Sequence, residues 1–284
     1  MLEDVYDYEP PIVTVTGADD WVDPMALAQL SERFPFVEWG ILYSTKREGS
    51  PRYPSRDWMD QLVWHQGNTY PMHLSLHVCG KAARDLLGGN DSLLETWCPP
   101  FYRVQLNGYD WDSQVATRLY EMWSMYGCEF ILQARSTDAL GPASVDADRI
   151  HGSVLYDPSG GRGRHPGAWP DLRLGKVGVA GGLTPETAWS TYEQVQPMGA
   201  SWVDLESGVR TDDRFDLAKV EATMKPFAVA TEVVGVPPAL LRPQPGLCDG
   251  CGQEKPTSQC DCGEELCEEC MMRSEHQHEE EQEN

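Results

Sequence analysis

The chain has no run of about 18 apolar residues, the length a membrane-spanning helix requires, and its hydrophobic content is 40% over 284 residues. That predicts a soluble protein with enough apolar material for one large core and an appendage. Basic residues are scarce: 22 Lys and Arg stand against 45 Asp and Glu, for a formal net charge of -23. Such a surface repels phosphate backbones and argues against a nucleic-acid partner. The opening residues, MLEDVYDYEPP, lack both the basic and the apolar regions of a secretory signal. The expectation is a cytoplasmic, reducing setting with no membrane partner. In that setting clustered cysteines are metal ligands before they are disulfides. Upstream of the tail there are three cysteines, Cys79, Cys98 and Cys128, far apart in sequence.

The tail is different. From Cys248 onward it reads CDGC, eight residues, CDC, four residues, CEEC, then HQH. Twelve acidic residues there face two basic ones, so 37 residues carry -10 of the total charge. Eight potential ligands suit two tetrahedral zinc sites, and a segment this short folds on metal binding rather than on apolar burial. The order resembles a B-box or other cross-brace zinc domain. On that resemblance Cys248, Cys251, Cys267 and Cys270 would hold one structural zinc, and Cys260, Cys262, His276 and His278 the other. The CxC pair departs from the B-box spacing. A single-zinc, four-cysteine ribbon with idle histidines, or reduced thiols with no metal, are the alternatives. The division expected is a barrel over residues 1–236, a Pro-rich linker over 237–247, a zinc module over 248–278 and an acidic tail over 279–284.

Upstream of the linker, eight short apolar runs alternate with helical stretches: PIVTVTG, FVEWGILYS, PMHLSLHVCG, FYRVQLNG, EFILQAR, GSVLYD, KVGVAGG and SWVDLESG. In DWDSQVATRLYEMWSMYG, Val115, Leu119, Met122, Trp123 and Tyr126 fall on one helical face, with Gly127 as a stop. Eight βα units in about 220 residues predict a (β/α)8 barrel, an α/β fold, ahead of an open doubly wound sheet. Strand alternation then assigns Leu74, Leu76 and Val78 to the helix-facing side and His73, Ser75, His77 and Cys79 to the interior. The same alternation turns inward Thr14, Thr16, Arg103, Gln105, Asn107, Gln133, Arg135, Ser153, Asp157, Asp204 and Glu206. A barrel built only for stability fills that space with Val, Ile and Leu. So much inward polarity points to a ligand site at the carboxyl rim, or else to a hydrogen-bonded interior network.

Five segments, in order, resemble the phosphoribosylanthranilate isomerase family of tryptophan biosynthesis over roughly residues 12–222. GILYSTKREGSPRYPS is similar to the family's strand followed by SPRY, VQLNGYD to VQLHGDE, and VLYDPSGGRGRHPGAW to its LLD and GGxGxxFDW stretch. VAGGLTPE and VDLESGV are similar to AGGL(T/N)PEN and DVxSGVE. The resemblance implies a phosphate site at Gly181, Gly182, Ser207 and Gly208, whose glycine-rich turns suit a dianion. It implies a substrate carboxylate on Arg52, a guanidinium fork in the place of the SPRY arginine. Gln105, inward in the VQLNG segment, joins this substrate-binding set, and Asp157 takes the place of the general acid. Ordinary tight turns, a surface ion pair and a structural aspartate are the plain alternatives for these residues.

One departure bears on mechanism. The family's general base is a cysteine in KxCG, whereas this chain has VTVTG with Thr16 in that place. A neutral hydroxyl does not abstract a carbon-bound proton, and losing a positioned base costs about 10² to 10⁴ in rate. Cys79 and His77, at the end of strand three, are candidates to reach the same centre. The expected function is isomerisation or binding of a phosphorylated sugar with no catalytic cofactor. The alternative is an inactive ligand-binding barrel or scaffold whose zinc module engages a protein partner.

Overall fold

The computed structural model describes residues 11–107, 113–234, 257–259 and 265–267, and the chain divides into two compact units, residues 1–236 and 237–284. In the first unit, eight parallel strands close into a barrel in sequence order. They are β1 Ile12–Thr16, β2 Val37–Tyr43, β3 His73–Val78, β4 Arg103–Leu106, β5 Glu129–Ala134, β6 Ser153–Tyr156, β7 Val177–Ala180 and β8 Ala200–Leu205. β8 pairs with β1, Asp204 opposite Thr14, which completes the closure. The protein therefore has the (β/α)8 barrel fold read from its alternating runs.

Around the barrel lie α1 Pro24–Arg33, α2 Arg56–Asn68, α3 Gly80–Leu87, α4 Ser92–Trp97, α5 Ser113–Tyr126, α6 Thr137–Arg149, α7 Ala188–Val195 and α8 Leu217–Val234. Side-chain caps fix several starts: Asp23 accepts from the Met25 N–H, Ser55 from Trp58 and Ser136 from Ala139. The helix-facing sides of the strands, including Val13, Trp39, Ile41, Leu74, Leu76, Val104, Phe130 and Val203, are buried and form the outer core.

The expected eighth βα unit is corrected at β6. No helix joins β6 to β7; two helices follow β3 instead. Residues 157–176 carry prolines at 158, 166 and 170, and Gly160, Gly161, Gly163, Gly167 and Gly175 adopt positive φ, which a helix cannot accommodate. Trp169 and Leu172 from this connection supply the buried apolar surface a helix would have given, with Trp169 edge-on to Tyr156.

The barrel interior is layered. Near the amino ends, Arg103 binds Glu38 through Nη1 at 3.0 Å and Glu129 through Nε at 3.1 Å, and its guanidinium lies 4.4 Å from the Trp202 ring centroid. Thr14 donates to Glu38, and Ser153 to Glu129, so the buried charges are neutralised within the network. Above it pack Ile131, Leu155, Ala180 and Trp202. This floor leaves the carboxyl end as the open face.

Of the second unit, β9 Thr257–Gln259 and β10 Glu265–Cys267 form an antiparallel pair, Thr257 opposite Cys267. Cys248, Cys251, Cys260, Cys262, Cys270, His276 and His278 lie outside the described residues. Among the described residues no cluster of three His, Cys, Asp or Glu is placed to hold a metal, and no helix is long and apolar enough to cross a membrane.

Candidate active site

At the carboxyl end of the barrel a cavity of about 80 Å³ is lined by Thr16, His77, Gln105, Asn107, Gln133, Asp157, Asp204 and Glu206 from the strand ends. The turns holding Gly181, Gly182, Ser207 and Gly208 complete its wall. It adjoins a second cavity of about 290 Å³, bounded by Arg47, Arg52, Tyr53, Cys79, Arg135 and Gly160. The two share Leu42, Asn107, Gln133, Gly161 and Glu206. A small inner chamber thus adjoins a wider, arginine-bearing rim, and together they approach the size of ordinary small-molecule sites.

Glycine is required at the inner wall. Gly181 and Gly182 have φ of 133° and 65°, and a Cβ on Gly182 would stand 2.7 Å from the Gly163 carbonyl oxygen and 2.8 Å from the His165 nitrogen. The β6–β7 connection therefore lies directly against this turn. A Cβ on Gly208 would likewise run into the Leu183 carbonyl. Among the described residues, no hydrogen bond occupies the backbone N–H of Gly182, Ser207 or Gly208.

The two inner carboxyls differ in their surroundings. Asp157 accepts four hydrogen bonds: Oδ1 from the Ser159 amide and hydroxyl, Oδ2 from the Gly161 amide at 2.6 Å and Gln133 Nε2 at 3.1 Å. It organises the start of the β6–β7 connection as well as facing the cavity. Asp204 accepts one among the described residues, from the Thr16 hydroxyl at 2.7 Å. Burial pushes its pKa up to about 8, and the Thr16 hydrogen bond pulls the other way, while Glu206, Asp157 and Glu38 add to the rise.

His77 is 1% exposed, and burial followed by the charge of Arg103 brings its pKa down to about 3, so the imidazole is neutral. Its Nε2 is buried without a partner, and it converges with Thr16 Oγ1 on the space a Cβ of Gly40 would take. Cys79, by contrast, borders the rim and not the inner cavity. Its sulfur accepts from Asn107 Nδ2 at 3.2 Å, and burial pushes the thiol pKa up. Gln105 donates to Asn107, its neighbour along the cavity wall.

Arg52 lies at the rim with its guanidinium between Glu206, at 2.6 Å, and Asp213, at 2.7 Å. Its φ is 75°, and its amide donates to Asp19 Oδ2 at 2.7 Å. Asp19 in turn pairs with the buried Arg210 at 2.9 Å, and Arg210 also donates to the carbonyls of Gly17 and Asp213. This clasp joins the loop after β1 to the loop after β8. Strand alternation had no means of finding Asp19, Arg210 or Asp213, which lie beyond the strand ends. Glu38 was legible as an inward position of β2 but carries no motif.

Fold and cavity together define a (β/α)8 barrel with an acid-bearing chamber at its carboxyl rim. No protein-family model matches the chain, and no curated protein matches it. Solved structures do. Phosphoribosyl anthranilate isomerase from Thermus thermophilus is similar with a TM-score of 0.54 and 20% identity, over 77% of this chain and 99% of that one. Monomers derived from the dimeric phosphoribosylanthranilate isomerase of Thermotoga maritima give 0.50 and 17%, over 77% and 98%. A truncated 3-deoxy-D-arabino-heptulosonate 7-phosphate synthase from Thermotoga maritima gives 0.51 and 11%, over 82% and 92%. At these identities the likeness is one of fold.

Proposed function

We propose that the barrel binds a phosphorylated sugar derivative at its carboxyl rim and isomerises it from aldose to ketose, by the Amadori chemistry of N-phosphoribosylanthranilate or a close relative. The observation that carries this is a single cavity whose wall combines the Gly181, Gly182, Ser207 and Gly208 turns with two buried carboxyls, Asp157 and Asp204. Backbone N–H groups at such turns suit a phosphate dianion, and neighbouring carboxyls suit proton transfer on the sugar. The similar structures are named for phosphorylated sugars, which supports the reading. Gln105 and Asn107 face the sugar, and the rim arginines face whatever the sugar carries at C1.

A second reading, a barrel that holds this ligand without turning it over, draws on Arg52. Its guanidinium is already engaged by Glu206 and Asp213, and Thr16 stands where the family has a thiol. One experiment separates the two. Freshly generated phosphoribosylanthranilate is mixed with the full chain, and loss of its fluorescence is compared with spontaneous decay, alongside melting curves in ribose 5-phosphate. Turnover supports the isomerase. A raised melting temperature without turnover leaves the binding barrel. Neither response removes both.

For the C-terminal unit the reading is a structural zinc module, held by Cys248, Cys251, Cys267 and Cys270 with Cys260, Cys262, His276 and His278, whose acidic surface engages a protein partner. Spacing and ligand chemistry support it.

A further inference from the structure

We propose that Asp204 is the proton-carrying catalytic residue of this site, beginning each cycle as the neutral acid, and that Asp157 acts beside it as a positioning residue. This rests on the isomerase reading above. The geometry separates the two carboxyls. Both oxygens of Asp157 are engaged by four donors, two of them amides of its own connection, so its acceptor capacity is spent on holding that segment. Asp204 stands on the cavity wall with one hydrogen bond among the described residues, from Thr16 at the end of β1.

The groups facing Asp204 agree. Across from it on β2 is Glu38, already bound to Arg103; on β6 is Asp157; two residues along its own chain is Glu206, paired with Arg52. No cation contacts it among the described residues. Among the described residues lining this cavity the one basic side chain, His77 of β3, is uncharged, and its buried Nε2 has no partner. A carboxyl among carboxylates, out of water and without a cation, keeps its proton at neutral pH.

The chemistry closes with one carboxyl. Asp204 gives its proton to the furanose ring oxygen as the C1–O bond breaks and the glycosylamine nitrogen becomes an iminium. The carboxylate so formed takes the C2 proton, and the C2–H electron pair forms C1=C2 as the iminium electrons return to nitrogen. The enolamine then takes that proton back at C1, and the C2 hydroxyl returns its own to Asp204 as the ketone forms. Atoms and electrons balance without oxidant, reductant or metal.

The test is the pH dependence of kcat/KM for phosphoribosylanthranilate with the full chain. The acid form is active, so the rate is expected to hold below about pH 8 and fall above it. Thr16→Val removes the bond that lowers the Asp204 pKa, so the falling limb should move to higher pH. Asp204→Asn should cut turnover by about 10² to 10⁴ while ribose 5-phosphate still raises its melting temperature. Turnover that survives Asp204→Asn, or a rate that rises through pH 8, overturns the assignment and leaves the isomerase reading intact. No turnover by the unaltered protein overturns both. Should Asp204→Asn fail to fold, the limb and its Thr16→Val displacement decide alone: both present support the role, and either missing overturns it.

Discussion

The indole of Trp202 on β8 lies over Gly178 on the neighbouring strand β7, and the space a Cβ on Gly178 would need is occupied by the indole ring. The largest side chain of the interior is admitted by the absence of its neighbour's. Gly178→Ala is therefore expected to destabilise by about 1–3 kcal/mol, the range for overpacking a filled core. Chemical denaturation measures it, and an unchanged midpoint would show that the barrel yields at this point.

Arg103 neutralises two buried or half-buried carboxylates, Glu38 and Glu129. Arg103→Met leaves the buried Glu38 without a cation and Glu129 with Lys176 alone, and a loss of about 3–5 kcal/mol is expected. The double variant with Glu38→Gln should recover part of that loss, which a simple packing defect would not.

Asp204 gives a pH signature in stability independent of any substrate. Its folded pKa, about 8, lies above the value of about 3.9 for an unfolded aspartate. The folded state binds the proton more tightly, so this contribution is complete below the lower value and is lost as pH rises through the upper one. Asp204→Asn does not titrate. Its melting temperature should gain on the unaltered protein between about pH 4 and 8, then keep a constant lead. Parallel curves across that window would show an unshifted carboxyl.

Gly182→Val puts a branched side chain at positive φ and into the Gly163–His165 backbone. The turn proposed to hold phosphate should open, and ribose 5-phosphate should bind at least about tenfold more weakly, roughly 1.4 kcal/mol. Calorimetric titration reads this directly; equal affinity would place the phosphate elsewhere.

Metal analysis of the full chain should find about two zinc ions, and one would indicate the four-cysteine ribbon. None would remove the zinc module. Truncation after Pro245 should leave the barrel's melting transition in place.

All eight strands of the barrel were legible because each is a short apolar run, and in most of them inward polar residues alternate with helix-facing ones, as in His73–Val78. The missing helix after β6 was not, since counting strand-and-helix units overlooked what the glycines and prolines of residues 157–176 forbid. At the site, alternation placed Thr16, His77, Gln105, Asp157 and Asp204 on the inner wall. It gave no hint that Thr16 and Asp204 would bond, because that contact exists only where strands 188 residues apart in sequence meet. The engagement of Arg52 by Glu206 and Asp213 was hidden for the same reason.

That seam has a consequence for the order of assembly. Thr16 with Asp204, and Asp19 with Arg210, both join the first strand's end of the chain to the last strand's. A growing polypeptide holding the first seven strands has the glycine turn after β7 and Asp157, but neither Asp204 nor the clasp. The proposed chemistry at this rim would therefore be withheld from every partly made barrel, and would arrive with the same contacts that shut it.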